Sequence, residues 1–124
     1  MKKYNLFLDD IRVPSAAFLY TKNPYYIMEE WDVVRSYDEF VALVKDKGLP
    51  EIVSFDHDLA DAHYDPSTWT ANFVYKEKTG MDCVKWMVEY CMDNQLKFPK
   101  WYVHSMNPIG GENMKSYINQ FTRE

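Results

Sequence analysis

Three hydrophobic runs along the chain each end in a cluster of short polar residues. The pairs are Leu6-Phe7-Leu8 with Asp9-Asp10, Ile52-Val53-Ser54-Phe55 with Asp56-His57-Asp58, and Trp101-Tyr102-Val103 with His104-Ser105-Met106-Asn107. Continuous apolar runs of this length, bounded by polar turn residues, are typical of buried strands in a parallel sheet. Because ligands bind outside the carboxyl ends of such strands, the polar clusters predict one shared site.

The remaining pattern predicts a fourth strand and three helices. Residues 32–35 are predicted as a short strand because Val33 and Val34 are β-branched and precede a polar turn. Capping residues and helical apolar spacing predict helices that begin at Ser36, Thr79 and Pro108. The other strands are expected over residues 4–9, 51–55 and 101–104, and the aromatic-rich connection after the first strand is predicted to lack a helix.

This order of elements, β, β, α, β, α, β, α, predicts an α/β fold with right-handed crossovers. We expect a flavodoxin-like three-layer sandwich with a mainly parallel four-stranded sheet in the order 2-1-3-4. That order places the first and third strands side by side, so their acidic clusters meet. Residues 59–78 show no clear periodicity and predict an irregular insertion, either a functional lid or a disordered segment.

Length and composition fit one domain over residues 1–124, with 47% hydrophobic residues. No apolar stretch has the length of a membrane span, and we expect a cytoplasmic protein without membrane partners. Cys83 and Cys91 lie on one predicted helix, roughly 12 Å apart, so no disulfide is expected between them. The net charge of -5 argues against binding an extended nucleic-acid backbone but allows a small phosphorylated ligand or a nucleic-acid end.

Four carboxylates are expected to converge at the shared site: Asp9, Asp10, Asp56 and Asp58. Like charges several ångströms apart repel strongly unless a cation holds them. An oxygen-rich acidic pocket suits Mg²⁺ or Mn²⁺, with Ca²⁺ a further option. The simpler interpretation is that each Asp caps a turn or a helix.

Two histidines, His57 and His104, are predicted on neighbouring strand ends facing the same crevice, outside the main core. That arrangement suits one general base and one general acid, although a strand-end histidine can also be structural. Ser105 and Asn107 could donate hydrogen bonds to phosphoryl oxygens. The backbone of residues 107–111 could cradle an anion at a helix start, but it lacks the lysine and glycine spacing of a P-loop.

The motifs together resemble the receiver domain of response regulators. The resemblance rests on Asp9-Asp10, Asp56, Gly80-Met81-Asp82 and Ser105. Two departures are the missing fifth strand with its receiver lysine and the insertion before Gly80. The pattern is more similar to the cyclic-phosphate processing receiver domains, through Leu8-Asp9-Asp10-Ile11-Arg12-Val13-Pro14, Ser54-Phe55-Asp56-His57-Asp58-Leu59, Thr79-Gly80 and Val103-His104-Ser105-Met106-Asn107-Pro108.

The resemblance implies a metal-dependent phosphoesterase acting on a cyclic nucleotide or a 2′,3′-cyclic RNA end. His57 or His104 would deprotonate a water and the other would protonate the leaving ribose oxygen. Arg12, Ser105 and Asn107 would bind the phosphate, and Trp69 or Tyr75 could stack on a base. Two alternatives stay open: a receiver-like signalling domain that accepts a phosphoryl group on Asp56, and a phospho-ligand-binding domain without catalysis.

Overall fold

The chain folds around a four-stranded, all-parallel sheet in the order β2-β1-β3-β4. In the computed structural model, which describes residues 4–57 and 79–122, the strands are β1 (Asn5–Leu8), β2 (Asp32–Val34), β3 (Ile52–Phe55) and β4 (Lys100–Val103). Strand order and direction confirm the receiver-like α/β fold expected from the sequence. Asp58, Trp69, Tyr75 and the predicted insertion over residues 59–78 lie outside the described residues.

The helices that flank the sheet are α1 (Pro14–Thr21), α2 (Tyr25–Met28), α3 (Tyr37–Lys47), α4 (Gly80–Asp93) and α5 (Pro108–Thr122). The three predicted helices, α3 to α5, are confirmed together with their starting signals. Ser36 Oγ accepts a hydrogen bond from the Glu39 amide (3.2 Å) at the start of α3. Thr79 and Asp82 form a reciprocal capping box at the start of α4.

Helices α1 and α2 lie in the connection where the sequence analysis predicted none, and that expectation is wrong. Pro14 opens α1, a position where its fixed φ suits a helix and its missing N–H costs nothing. The two helices have 8 and 4 residues, and their buried residues are Ala17 and Tyr26. A helix this short with one inward side chain does not show the apolar periodicity that predicts a helix.

Alternate residues of the sheet face two different helical layers, because side chains of a strand point to opposite faces. Leu6, Leu8 and Phe55 belong to the larger core, packed against α3, α4 and α5. Phe7 belongs to the smaller core with α1 and α2, where it packs on Tyr26. The three layers expected from the sequence are therefore present, with α1 and α2 of the first connection packed on one face of the sheet.

The two cysteines, Cys83 and Cys91, are buried free thiols on α4, as expected. Among the helices of residues 4–57 and 79–122, none combines the length and the apolar character needed to cross a bilayer.

Candidate functional site

Three adjacent strands, β1, β3 and β4, end level with one another, and the next residue of each is a candidate site residue: Asp9, Asp56 and His104. The last residues of β1 and β3, Leu8 and Phe55, are register partners, and β4 continues the same register. The ladder extends one residue further, because the Asp56 amide donates to Leu8 O (3.1 Å) and the His104 amide donates to Phe55 O (3.0 Å). Strand pairing therefore fixes the relative positions of all three side chains.

These three residues, named here the carboxylate–histidine row, are buried together. Their exposed fractions are 0% for Asp9, 3% for Asp56 and 1% for His104. One ligand atom from each lies within 4.8 Å of the others. The expected meeting of the Asp9 and Asp56 clusters is thus observed, while Asp10 is half-buried beside them.

Both carboxylate oxygens of Asp9 have partners. Oδ1 accepts hydrogen bonds from the amides of Ile11 (3.0 Å) and Arg12 (2.8 Å). Oδ2 lies 3.1 Å from His104 Nε2 and 3.5 Å from Arg12 Nη1. Burial alone would raise the pKa of Asp9, but the hydrogen bonds from His104 and the two amides outweigh it and hold the pKa at about 2. Asp9 is therefore an anion at neutral pH.

Asp56 is in the opposite electrostatic situation. Its Oδ1 accepts a hydrogen bond from the His57 amide (2.9 Å). Burial raises the pKa of Asp56, the negative charges of Asp9 and Asp10 raise it further, and Arg12 opposes them, so that the pKa reaches about 7. A second negative charge in this row is unfavourable unless a cation accompanies it.

His104 lies under the carboxylates and packs against the smaller core, 1% exposed, so the expectation that its side chain faces the crevice is wrong. Its ring stacks on Phe7, with centroids 4.3 Å apart and planes at 9°. Nδ1 lies 2.6 Å from Ser54 Oγ, which lies 2.6 Å from the Tyr26 hydroxyl. Burial lowers the pKa of His104 although Asp9 favours its charged form. The imidazole is therefore neutral at pH 7, and its catalytic role stays a prediction.

His57 is half-buried and its ring packs against the first turn of α5. A Cβ added to Gly110 would lie 2.5 Å from His57 Cγ, so this close approach requires glycine. On the other side, the Gly80 amide donates to His57 O (2.7 Å), and a Cβ on Gly80 would lie 1.7 Å from Asp56 O. Both glycines bring helix starts against the end of β3. The acid–base role of His57 stays a prediction.

The predicted phosphate-binding residues lie on the loops around this row. Arg12 is partly exposed, donates from Nη2 to Met106 Sδ (3.0 Å) and lies over the Tyr20 ring. Ser105 Oγ accepts a hydrogen bond from the Asn107 amide (3.0 Å). Asn107 Oδ1 accepts one from the Gly110 amide (2.9 Å), which caps α5. These contacts order the loops, and phosphate binding by the three side chains stays a prediction.

Several residues that build the site were not singled out from the sequence. Ser54 is a hydroxyl within an otherwise apolar buried strand, and that polar interruption was a usable signal. Arg35 donates from Nη1 to Arg12 O (2.6 Å) and Asp9 O (3.2 Å), and so holds the loop after β1. Tyr26 gave no signal, because its contact with Ser54 depends on how the first connection folds.

The donor set fits a divalent cation. The row combines two buried carboxylates with one imidazole. Burial and the charge of Asp9 raise the pKa of Asp56, so a cation beside the pair would favour the ionised form of Asp56. Carboxylate oxygens suit Mg²⁺ and Mn²⁺, while an imidazole nitrogen suits later transition metals. The row therefore offers the types of ligand atom that a divalent ion takes in proteins.

The comparisons with known proteins agree with this architecture. No curated protein and no solved structure gives a significant match to the chain. The profile of the family described as Cyclic-phosphate processing Receiver domain matches residues 4–120, which include every described strand and nearly all of the final helix. On the strength of that match, the chain belongs to the family of cyclic-phosphate processing receiver domains.

Proposed function

We propose that the chain is a metal-dependent phosphoesterase that hydrolyses a cyclic phosphate, either a cyclic nucleotide or a 2′,3′-cyclic RNA end. The observation that carries this proposal is the carboxylate–histidine row, Asp9, Asp56 and His104, whose ligand atoms lie within 4.8 Å of one another at the carboxyl edge of the sheet. Membership of a family associated with cyclic-phosphate processing supports it.

Asp9 and Asp56 would hold one divalent ion, Mg²⁺ or Mn²⁺, with Ca²⁺ a further option and Asp10 as a nearby third carboxylate. Their burial and shared negative charge support this assignment. Such an ion, when bound, offsets the charge of the phosphoryl oxygens and lowers the pKa of a coordinated water. Asp58 was also predicted as a ligand and lies outside the described residues.

The histidines would carry the protons of the hydrolysis. A water oxygen bonds to phosphorus, the bond from phosphorus to one ribose oxygen breaks, and that oxygen takes up a proton to give a monoester. His57 is the better candidate for the base, because its side chain is half-buried at the edge of the row, whereas His104 is 1% exposed. In the two-histidine scheme, His104 would return a proton to the leaving oxygen.

The substrate's phosphoryl group would be bound by Arg12, Ser105 and Asn107. The guanidinium of Arg12 lies 3.5 Å from Asp9 and is 31% exposed, so it can reach a ligand above the row. A net charge of -5 disfavours an extended nucleic-acid backbone and is compatible with a small phosphorylated ligand or a single RNA end.

A second candidate is a receiver-like signalling domain or a phospho-ligand-binding domain without catalysis. The position of Asp56 at the end of β3, beside a second acid, supports it. The sheet of residues 4–57 and 79–122 has four strands and does not supply the fifth strand on which a receiver carries its lysine.

The test is a panel of cyclic and linear nucleotides and RNA with 2′,3′-cyclic ends, each incubated with the protein and Mg²⁺ or Mn²⁺. We expect monoester release from a cyclic substrate, and loss of that release in Asp56→Asn. Asp46→Asn, the same change at an exposed position of α3, is the matched control. Binding of a phosphorylated ligand without any product would favour the second candidate.

A further inference from the structure

A buried chain of hydrogen bonds leads from α2 along one face of the sheet to the carboxylate–histidine row. The Tyr26 hydroxyl lies 2.6 Å from Ser54 Oγ, Ser54 Oγ lies 2.6 Å from His104 Nδ1, and His104 Nε2 lies 3.1 Å from Asp9 Oδ2. All four residues are at most 3% exposed. Nothing in the proposed hydrolysis uses Tyr26 or Ser54, so their role requires a separate explanation.

The direction of this chain follows from the groups at its two ends. A carboxylate only accepts hydrogen bonds, so the proton between Asp9 and His104 belongs to Nε2. Nδ1 is then the acceptor in the neutral ring, and the Ser54 hydroxyl donates to it. The Ser54 oxygen in turn accepts from the Tyr26 hydroxyl. The chain therefore selects one tautomer of His104, with the proton on Nε2.

The same chain can also run in the reverse direction. If Nε2 gives its lone pair to a metal ion, the ring proton must be on Nδ1, and metal-bound histidines are held by an acceptor for that proton. Ser54 can accept it, because a hydroxyl is both donor and acceptor, and Tyr26 can then accept from Ser54. The 3.1 Å separation between Nε2 and Asp9 Oδ2 also fits adjacent ligands of one ion, which lie roughly 3 Å apart when each bond is about 2.1 Å.

We propose that Ser54 and Tyr26 are positioning residues that present His104 Nε2 as a nitrogen ligand beside Asp9 and Asp56. This inference rests on the metal site of the proposed function and replaces the general-acid role of His104 with metal binding. The proton that His57 takes from the attacking water would then return to the leaving oxygen. Stacking on Phe7 fixes the plane of the ring, and the two hydroxyls fix its rotation and its tautomer. The support of the ion site thus extends along this face of the sheet to α2.

The experiment records ¹⁵N chemical shifts of the histidine rings by NMR, with His104 assigned from the spectrum of His104→Gln. Zn²⁺ serves as a diamagnetic probe, and calorimetry measures its affinity. We expect the proton of His104 on Nε2 in the metal-free protein and on Nδ1 after Zn²⁺ is added. Ser54→Ala and Tyr26→Phe should each weaken Zn²⁺ binding about 10- to 100-fold. The matched control is Tyr102→Phe. The Tyr102 ring lies 6.1 Å from the Tyr26 ring and takes no part in this chain of hydrogen bonds, so the variant should retain parental affinity.

Three results would overturn the inference: a His104 tautomer that stays unchanged while Zn²⁺ binds, parental affinity in both folded variants, or no Zn²⁺ binding at millimolar concentration. Tyr26→Phe removes one hydroxyl and keeps the test available if Ser54→Ala does not fold. Hydrolysis is not a readout here. A protein that shows the tautomer change but no phosphoesterase activity would contradict the proposed function and leave this inference standing.

Discussion

Asp9 and Asp56 follow register partners on adjacent parallel strands, yet their carboxyl groups have opposite preferences for a proton. Hydrogen bonds from His104 and two amides outweigh burial and hold the pKa of Asp9 at about 2. Burial and the charge of Asp9 raise the pKa of Asp56 to about 7. Hydrogen bonds from its neighbours thus stabilise the charged form of Asp9. The charged form of Asp56 would be stabilised by a neighbouring cation.

The raised pKa of Asp56 makes the metal-free protein less stable as pH rises. Between about pH 4 and 7 the folded state binds a proton at Asp56 that the unfolded state has lost, so the free energy of unfolding falls through this range. The shift from 3.8 to about 7 corresponds to roughly 4 kcal/mol. Urea unfolding at several pH values in a chelator measures this loss. Asp56→Asn should remove it and be more stable than the parent at pH 8, whereas Asp46→Asn should follow the parent.

Asp9→Asn should have the opposite effect on stability. Asn is neutral and has one acceptor oxygen, so it cannot replace both the hydrogen bonds from the Ile11 and Arg12 amides and the one from His104 in this fully buried site, a loss that costs about 1–3 kcal/mol at pH 7. In the parent, the lowered pKa of Asp9 adds stability above pH 4 that is lost as pH falls towards 2. The same unfolding series checks both points. An Asp9→Asn protein as stable as the parent at pH 7 would show that the carboxylate is not held as described.

The packing of His57 on Gly110 allows a test of His57 without changing it. Gly110→Ala must displace the imidazole, because the new Cβ would lie 2.5 Å from Cγ. If His57 is the general base, this variant should hydrolyse the substrate roughly 10²- to 10⁴-fold more slowly, as should His57→Ala. Gly111→Ala is the matched control, since its nearest contact would be an ordinary 3.6 Å to Val103. Parental rates in folded Gly110→Ala and His57→Ala would remove His57 from the mechanism.

Phosphorelay predicts a different product from hydrolysis. Incubation with acetyl phosphate and Mg²⁺ should leave no stable phosphoryl group on Asp56, because the sheet described here does not provide a receiver's lysine partner. Intact-protein mass spectrometry measures the modification directly. A mass increase of one phosphate that disappears in Asp56→Asn would make signalling the better interpretation of the site.

The sequence was sufficient to predict that Asp9 and Asp56 meet, because apolar runs mark strands and parallel strands end at one edge. The sheet order was expected from the crossover connections and the flavodoxin-like fold, and is confirmed. The helices after Ser36, Thr79 and Asn107 follow from local signals. Each of those helix predictions depends on periodicity or capping within a short segment.

The burial of His104 could not be predicted in the same way. It depends on α1 and α2, which are too short to show apolar periodicity. It also depends on the contact of the Tyr26 hydroxyl with Ser54 on the face of the sheet that these helices cover. Contacts of this kind join residues far apart in the chain, so no local pattern marks them. For the same reason the sequence analysis placed His104 in an open crevice.

The most direct measurement follows a 2′,3′-cyclic nucleotide by ³¹P NMR in ¹⁸O-labelled water, with Mn²⁺ or Mg²⁺ present. We predict conversion of the cyclic phosphate into a monoester that carries one ¹⁸O on phosphorus, no conversion in a chelator, and loss of turnover in Asp56→Asn but not in Asp46→Asn. The label would show that water attacks phosphorus and that the ribose oxygen leaves. The proposed hydrolysis would be contradicted if the folded protein binds the ion but converts none of three substrates: this nucleotide, a 3′,5′-cyclic nucleotide and a cyclic RNA end.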